Sequence, residues 1–216
     1  MMLTLSFAIA NTVSANFFQG FETDNNGWNV FGGQYDATRV ASGTNGITSH
    51  TGSFHAEAVG PVQLCDGTAS AATNWGGYSR TFPMPGYTTD VWVYLDVAAN
   101  TVNDTRFDWI ASSVNTPDCD FRRDFVFNAG FYNDSVPPGS GNRFVISAGN
   151  NSGRCNSFPK NPGHDPIVIT TGGWYKFEGQ FTSDSGTLAV IMRVFNPNGS
   201  LLHAEGLVGV ETRVAE

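Results

Sequence analysis

The sequence predicts an all-β fold, a two-sheet antiparallel β-sandwich, and three observations carry that reading. Charged residues make up only 14% of the chain while Gly numbers 25 and Phe 17, the balance of a sheet protein with many tight turns. Short apolar–polar alternations recur between clusters of Gly, Pro, Asn and Asp. Helical spacing of apolar residues is missing throughout.

The first element reads as an export signal, with a buried first strand as the alternative. Residues 3–10 are apolar and uncharged, and Val13-Ser14-Ala15 ends in small residues, so 1–15 reads as a secretory signal peptide. The Lys or Arg that ordinarily precedes such a run is absent, which leaves open a start further upstream. The run is too short to span a bilayer, and no later stretch approaches that length. Residues 16–216 are then expected to form a single domain, with room for one core.

Within it, Asp90–Val97 sets Val91, Val93, Leu95 and Val97 on one face against Trp92, Tyr94 and Asp96 on the other. Phe121–Asn128 places Arg123, Phe125 and Phe127 with Phe121, and Arg122, Asp124 and Val126 opposite. Arg143–Ala148, Trp174–Thr182 and Thr187–Asn196 are further strands. Asp184-Ser185-Gly186 turns between the last two, and Asn196-Pro197-Asn198-Gly199 ends the second. Three long segments, Val62–Gly77, Phe131–Gly141 and Asn150–Pro166, lack strand character and are expected to be functional loops.

Charge and cysteine content narrow the partners. A formal net charge of −8 disfavours nucleic acid and anionic membranes, because nothing would neutralise phosphates. Neutral sugars or cations suit such a surface better. Of Cys65, Cys119 and Cys155, two can form one disulfide in an exported chain. Cys119 with Cys155 is the expected pair, since both lie in polar, loop-like stretches, and Cys65 with Cys119 remains open.

Several phrases resemble secreted jelly-roll carbohydrate-binding modules and laminin-G-like domains, of concanavalin-like or galactose-binding-like fold. Phe21-Glu22-Thr23-Asp24 before Gly27-Trp28 resembles their opening strand, and Ser49–Glu57 the segment that follows. Gly173-Trp174-Tyr175 and Leu188–Phe195 are similar to their late strands. The resemblance implies a jelly roll closed by a strand returning beside the first. Leu207–Val214 is the candidate for that strand, unless the domain is incomplete at its C-terminus. It also implies a structural Ca²⁺ held by Glu22 and Asp24 with further oxygen ligands.

A sugar ring presents apolar C–H faces that stack on aromatic rings, so Trp75, Tyr78, Trp92 and Tyr94 are the expected ligand-binding residues. Trp75 and Tyr78 sit among Asn and Gly, while Trp92 and Tyr94 share a strand face. Phe125–Asn133 is similar to the strand of alginate-lyase jelly rolls in which Lys precedes Ala-Gly and a Tyr follows; here Asn128 replaces the Lys. That likeness implies a polysaccharide lyase using Arg122, Arg123, Tyr132 and His164. Motifs for retaining glucanases, serine hydrolases, zincins or phosphate loops are absent. The leading expectation is therefore a secreted, non-catalytic glycan-binding or adhesion module without an organic cofactor. A lyase is the first alternative and a structural matrix domain the second.

Overall fold

The computed structural model describes residues 17–30, 37–58, 71–73, 86–114, 121–150, 159–160, 162–185 and 187–208. The signal-peptide reading of 1–15 lies outside them, as do Trp75, Tyr78 and all three cysteines. The regular structure of the described part is strand, apart from two 3-10 turns at Thr44–Gly46 and Pro162–His164. Twelve strands run in chain order: β1 Trp28–Val30, β2 Ala37–Ala41, β3 Phe54–Ala58, β4 Ala71–Thr73, β5 Gly86–Leu95, β6 Thr105–Val114, β7 Phe121–Tyr132, β8 Arg143–Asn150, β9 Ile167–Ile169, β10 Gly173–Asp184, β11 Thr187–Phe195 and β12 Leu201–Val208. No described helix is long and apolar enough to cross a membrane.

Two four-stranded antiparallel sheets carry the structure, ordered β12-β11-β10-β5 and β6-β7-β8-β9. Two small ribbons, β1-β4 and β2-β3, accompany them. The inner faces follow from alternation. Leu95, Phe177, Phe181, Val190 and Val194 of one sheet are fully buried against Phe125, Phe131, Ile146 and Ala148 of the other. Edge-to-face ring contacts tie the sheets together, Phe127 to Phe177 at 5.3 Å and Phe125 to Phe181 at 5.5 Å. Each such pair adds about 0.5–1.5 kcal/mol beyond the area it buries. This is a two-sheet antiparallel β-sandwich, as the sequence predicts.

Local chemistry fixes the register. Asp184 pairs with Thr187 across the β10–β11 hairpin, and Ser185, just after Asp184, takes the positive φ of 52° that tight hairpin connections favour. Asn196 closes the next turn by accepting the N–H groups of Asn198 and Ser200 on its side-chain oxygen.

Several strand assignments differ from expectation. Thr105–Val114 is a ten-residue strand that the sequence reading passes over, and Ile167–Ile169 is a short edge strand. Ala71–Thr73 lies inside the segment taken as loop, and β7 runs on through Phe131 and Tyr132 before the chain turns. The last described strand is Leu201–Val208, which forms a hairpin with β11; residues 209–214 of the expected closing strand lie outside the described residues.

Candidate functional site

The two outer faces of the sandwich differ in what they offer a ligand. On the β5/β10–β12 sheet, pairing puts Trp174 beside Tyr94 and Lys176 beside Trp92, so the side chains opposite the core gather in rows. Trp92, Tyr94 and Trp174 are all half-buried. Tyr94 meets Trp174 edge-on at 5.4 Å, and exposed His50 stacks on Trp92 at 3.8 Å. The Trp174 indole N–H donates to the Thr48 carbonyl at 2.8 Å, and His55 approaches the same ring at 5.9 Å. The segment between β2 and β3 thus borders the aromatic cluster and completes it.

The next rows of that face are polar. Lys176 donates to Glu178 at 2.7 Å, and Arg193 donates to Glu178 at 3.0 Å and to Gln180 at 2.8 Å. Burial opposes the charge on Glu178, but the hydrogen bonds from Lys176 and Arg193 outweigh it and hold its pKa below the usual carboxylate value. Ile191 and Val208 lie exposed further along the same face. The result is an aromatic end and a hydrogen-bonding middle on one surface.

The outer face of the β6–β9 sheet is covered. Val126, Asn128, Gly130 and Tyr132 of β7 point away from the core, yet all are buried. Ser147 donates to the Pro159 carbonyl, which brings Pro159–Lys160 across β8. The 133–142 loop is held by Arg143, which is 0% exposed. Its five N–H groups donate to the carbonyls of Asp134, Val136, Pro138 and Gly141 and to the Asp134 carboxylate, at 2.6–2.8 Å. A fully satisfied guanidinium is what makes a buried cation tolerable.

Between that loop and β6 lies a cleft of about 280 Å³ lined by Asn103, Asp104, Arg106, Tyr132, Asp134, Val136, Pro137 and Lys160. The Tyr132 ring lies across Gly130, where a Cβ would sit 2.6 Å from it, so only glycine fits there. The Lys160 ammonium is 3.7 Å from the centre of the same ring. Arg106 pairs with Asp104 at 2.7 Å, and Lys160 with Asp134 at 3.3 Å. The Tyr132 hydroxyl is buried within electrostatic reach of Asp104 and Arg106 but makes no hydrogen bond of good geometry to either. Burial first, and then Asp104, push the phenol well above its usual pKa.

The predicted residues distribute unevenly over this map. Trp92 and Tyr94 share one face as expected, and the structure adds Trp174, His50 and His55 to them. Tyr132 lines the cleft, and the backbone of His164 lies in the 3-10 turn shortly after Lys160. Arg122 and Arg123 begin the same strand that Tyr132 ends. At about 3.3 Å per residue they stand roughly 30 Å from it, so the lyase set is not brought together. Arg106, Arg143 and Lys160, none of which the sequence reading places in a site, are the cations near Tyr132.

Glu22 and Asp24 serve local structure. Glu22 accepts the backbone N–H groups of Ser53 and Phe54 at 3.0–3.2 Å, and it lies over Gly52, whose φ is +66°. Asp24 accepts from Asn26 N–H at 3.0 Å and from Gln19 at 3.2 Å, and the Asn26 bond foremost lowers its pKa. Among the described residues no three His, Cys, Asp or Glu side chains converge on one point.

Together these features define the class: a two-sheet antiparallel β-sandwich with an aromatic outer face and a polar cleft on the opposite sheet. No protein-family model, curated protein or solved structure matches the chain.

Proposed function

We propose that this protein is an extracellular, non-catalytic glycan-binding or adhesion module that engages sugar on the outer face of the β5/β10–β12 sheet. The observation that carries the reading is the juxtaposition of Trp92, Tyr94 and Trp174 with the Lys176–Glu178–Arg193–Gln180 network on one face. Aromatic rings supply apolar contact to sugar C–H groups, and planar polar side chains exchange hydrogen bonds with the hydroxyls. An overall charge of −8 favours a neutral glycan over a polyanion on electrostatic grounds. Calcium enters as a variable of the assay: a glycan array run with calcium and with chelator tests the reading and its metal dependence together.

A second reading, a polysaccharide lyase, draws support from Tyr132 lying beside Arg106 and Lys160. An ordinary tyrosine is ionised to about one part in a thousand at pH 7. Tyr132 is ionised less, because its pKa is raised, so it suits a hydrogen-bond donor better than a base. Incubation with uronate polymers would decide: an unsaturated product absorbing in the ultraviolet supports the lyase, and none supports the binding module.

A further inference from the structure

The geometry points to a second ligand site, distinct from the aromatic face: the cleft at Tyr132 takes a single neutral, polyhydroxylated ring such as one sugar residue. Size is the first argument. About 280 Å³ lies just below the roughly 300–1,000 Å³ of drug-sized sites, which suits one ring and excludes an extended chain.

Charge is the second. Arg106 and Lys160 line the cleft against Asp104 and Asp134, two cations to two anions. Adding buried Arg143 behind it and Asp108 two residues along β6 makes three against three. An ion gains no net field from such a site, whereas a ligand hydroxyl, donor and acceptor at once, can address both members of an ion pair.

The third argument is a polar atom left over. Tyr132 is 2% exposed and lies in a wall of the cleft, its hydroxyl beside Asp104 and Arg106 but without a hydrogen bond of good geometry to either. Buried hydroxyls are nearly always satisfied, and a ligand oxygen would satisfy this one. Arg143 fixes the loop that forms the wall, so the site is preorganised.

The test is saturation-transfer NMR on the full chain with methyl glucoside, methyl galactoside and methyl mannoside, and with glucuronate and galacturonate. The variants are Tyr132→Phe, Arg106→Gln and Trp92→Ala. Saturable binding of a neutral methyl glycoside is expected, insensitive to added salt because no net charge is neutralised. It should weaken about tenfold or more in Tyr132→Phe and in Arg106→Gln, through the lost hydrogen bonds, and persist in Trp92→Ala. Tyr132→Phe removes an atom that makes no hydrogen bond of good geometry, so the variant should keep a native unfolding curve. Failure of all three glycosides to bind overturns the proposal, as does binding indifferent to Tyr132→Phe or a preference for the uronates. Loss of array binding in Trp92→Ala with the cleft intact speaks to the other face alone, so the two readings fail separately.

Discussion

The two outer faces of this sandwich are built from similar residues, yet one is open and the other is covered. On the β5/β10–β12 sheet, Arg193 and Lys176 share Glu178 and remain about one-quarter exposed, at 24% and 23% of their side chains. On the β6–β9 sheet, Arg143 has no exposure and spends all its donors on the loop that hides it. A polar row on a strand therefore does not by itself identify a solvent face. What separates the two is the chain that follows each strand: a five-residue turn, Asn196–Ser200, after β11, but the long 133–142 segment after β7. The first leaves a surface for large ligands, and the second makes a wall and a cleft.

The sharpest way to break this comparison is to remove one arginine from each face. Arg143→Met should cost about 3–5 kcal/mol, because it strips the loop carbonyls and the Asp134 carboxylate of their buried partner. Arg193→Met should cost less than about 1 kcal/mol, as a partly exposed pair. Chemical denaturation measures both, and equal costs would refute the distinction. Glycines give the next largest contrast. Gly130→Ala must displace the Tyr132 ring and should cost about 1–3 kcal/mol. Gly206→Ala, with open space at its Cβ, should stay within about 0.5 kcal/mol of neutral.

Much of the fold is legible in the sequence because its main strands alternate cleanly. Val91, Val93 and Leu95 do face the core, and the chain does turn back after Asp184 so that Asp184 pairs with Thr187. Thr105–Val114 alternates too, with Phe107, Trp109 and Ala111 packed inward, but exposed Ile110 blurs the pattern. In β12 the pattern inverts, since Leu202 is exposed while His203 is buried on the core side, opposite Val194. The aromatic face is half legible: Trp92 and Tyr94 share a strand, while Trp174 and His50 join them only through pairing and chain return. The cleft is not legible. Arg106, Tyr132 and Lys160 come together through β6–β7 pairing and the crossing over β8, and hydropathy would place Arg143 outside.

Two smaller effects sharpen the account. Tyr132→Phe should leave stability within about 1 kcal/mol of the parent, because the buried hydroxyl makes no hydrogen bond of good geometry. His203 gives a pH dependence. Burial first, against the opposing pull of Glu205 and Asp165, lowers its pKa in the folded protein. Below about pH 6.5 the unfolded chain then binds a proton that the folded one refuses, so stability falls on acidification and levels off above that pH. His50, also lowered by burial, adds a contribution of the same sign. Asp134 and Glu178, with lowered pKa values, keep their contribution above the usual carboxylate range and lose it as pH falls from that range through their lowered folded values. Denaturation midpoints at pH 5.5 and 7.5 should therefore differ, and His203→Gln should narrow the gap.

The central claim is that the open face binds glycan. The most direct measurement is a glycan array probed with the full chain and with Trp92→Ala and Tyr94→Ala, each checked for native unfolding. Selective binding by the parent, reduced about tenfold or more in both variants, is the predicted result. A blank array with and without calcium, or binding unchanged in two folded variants, would contradict it.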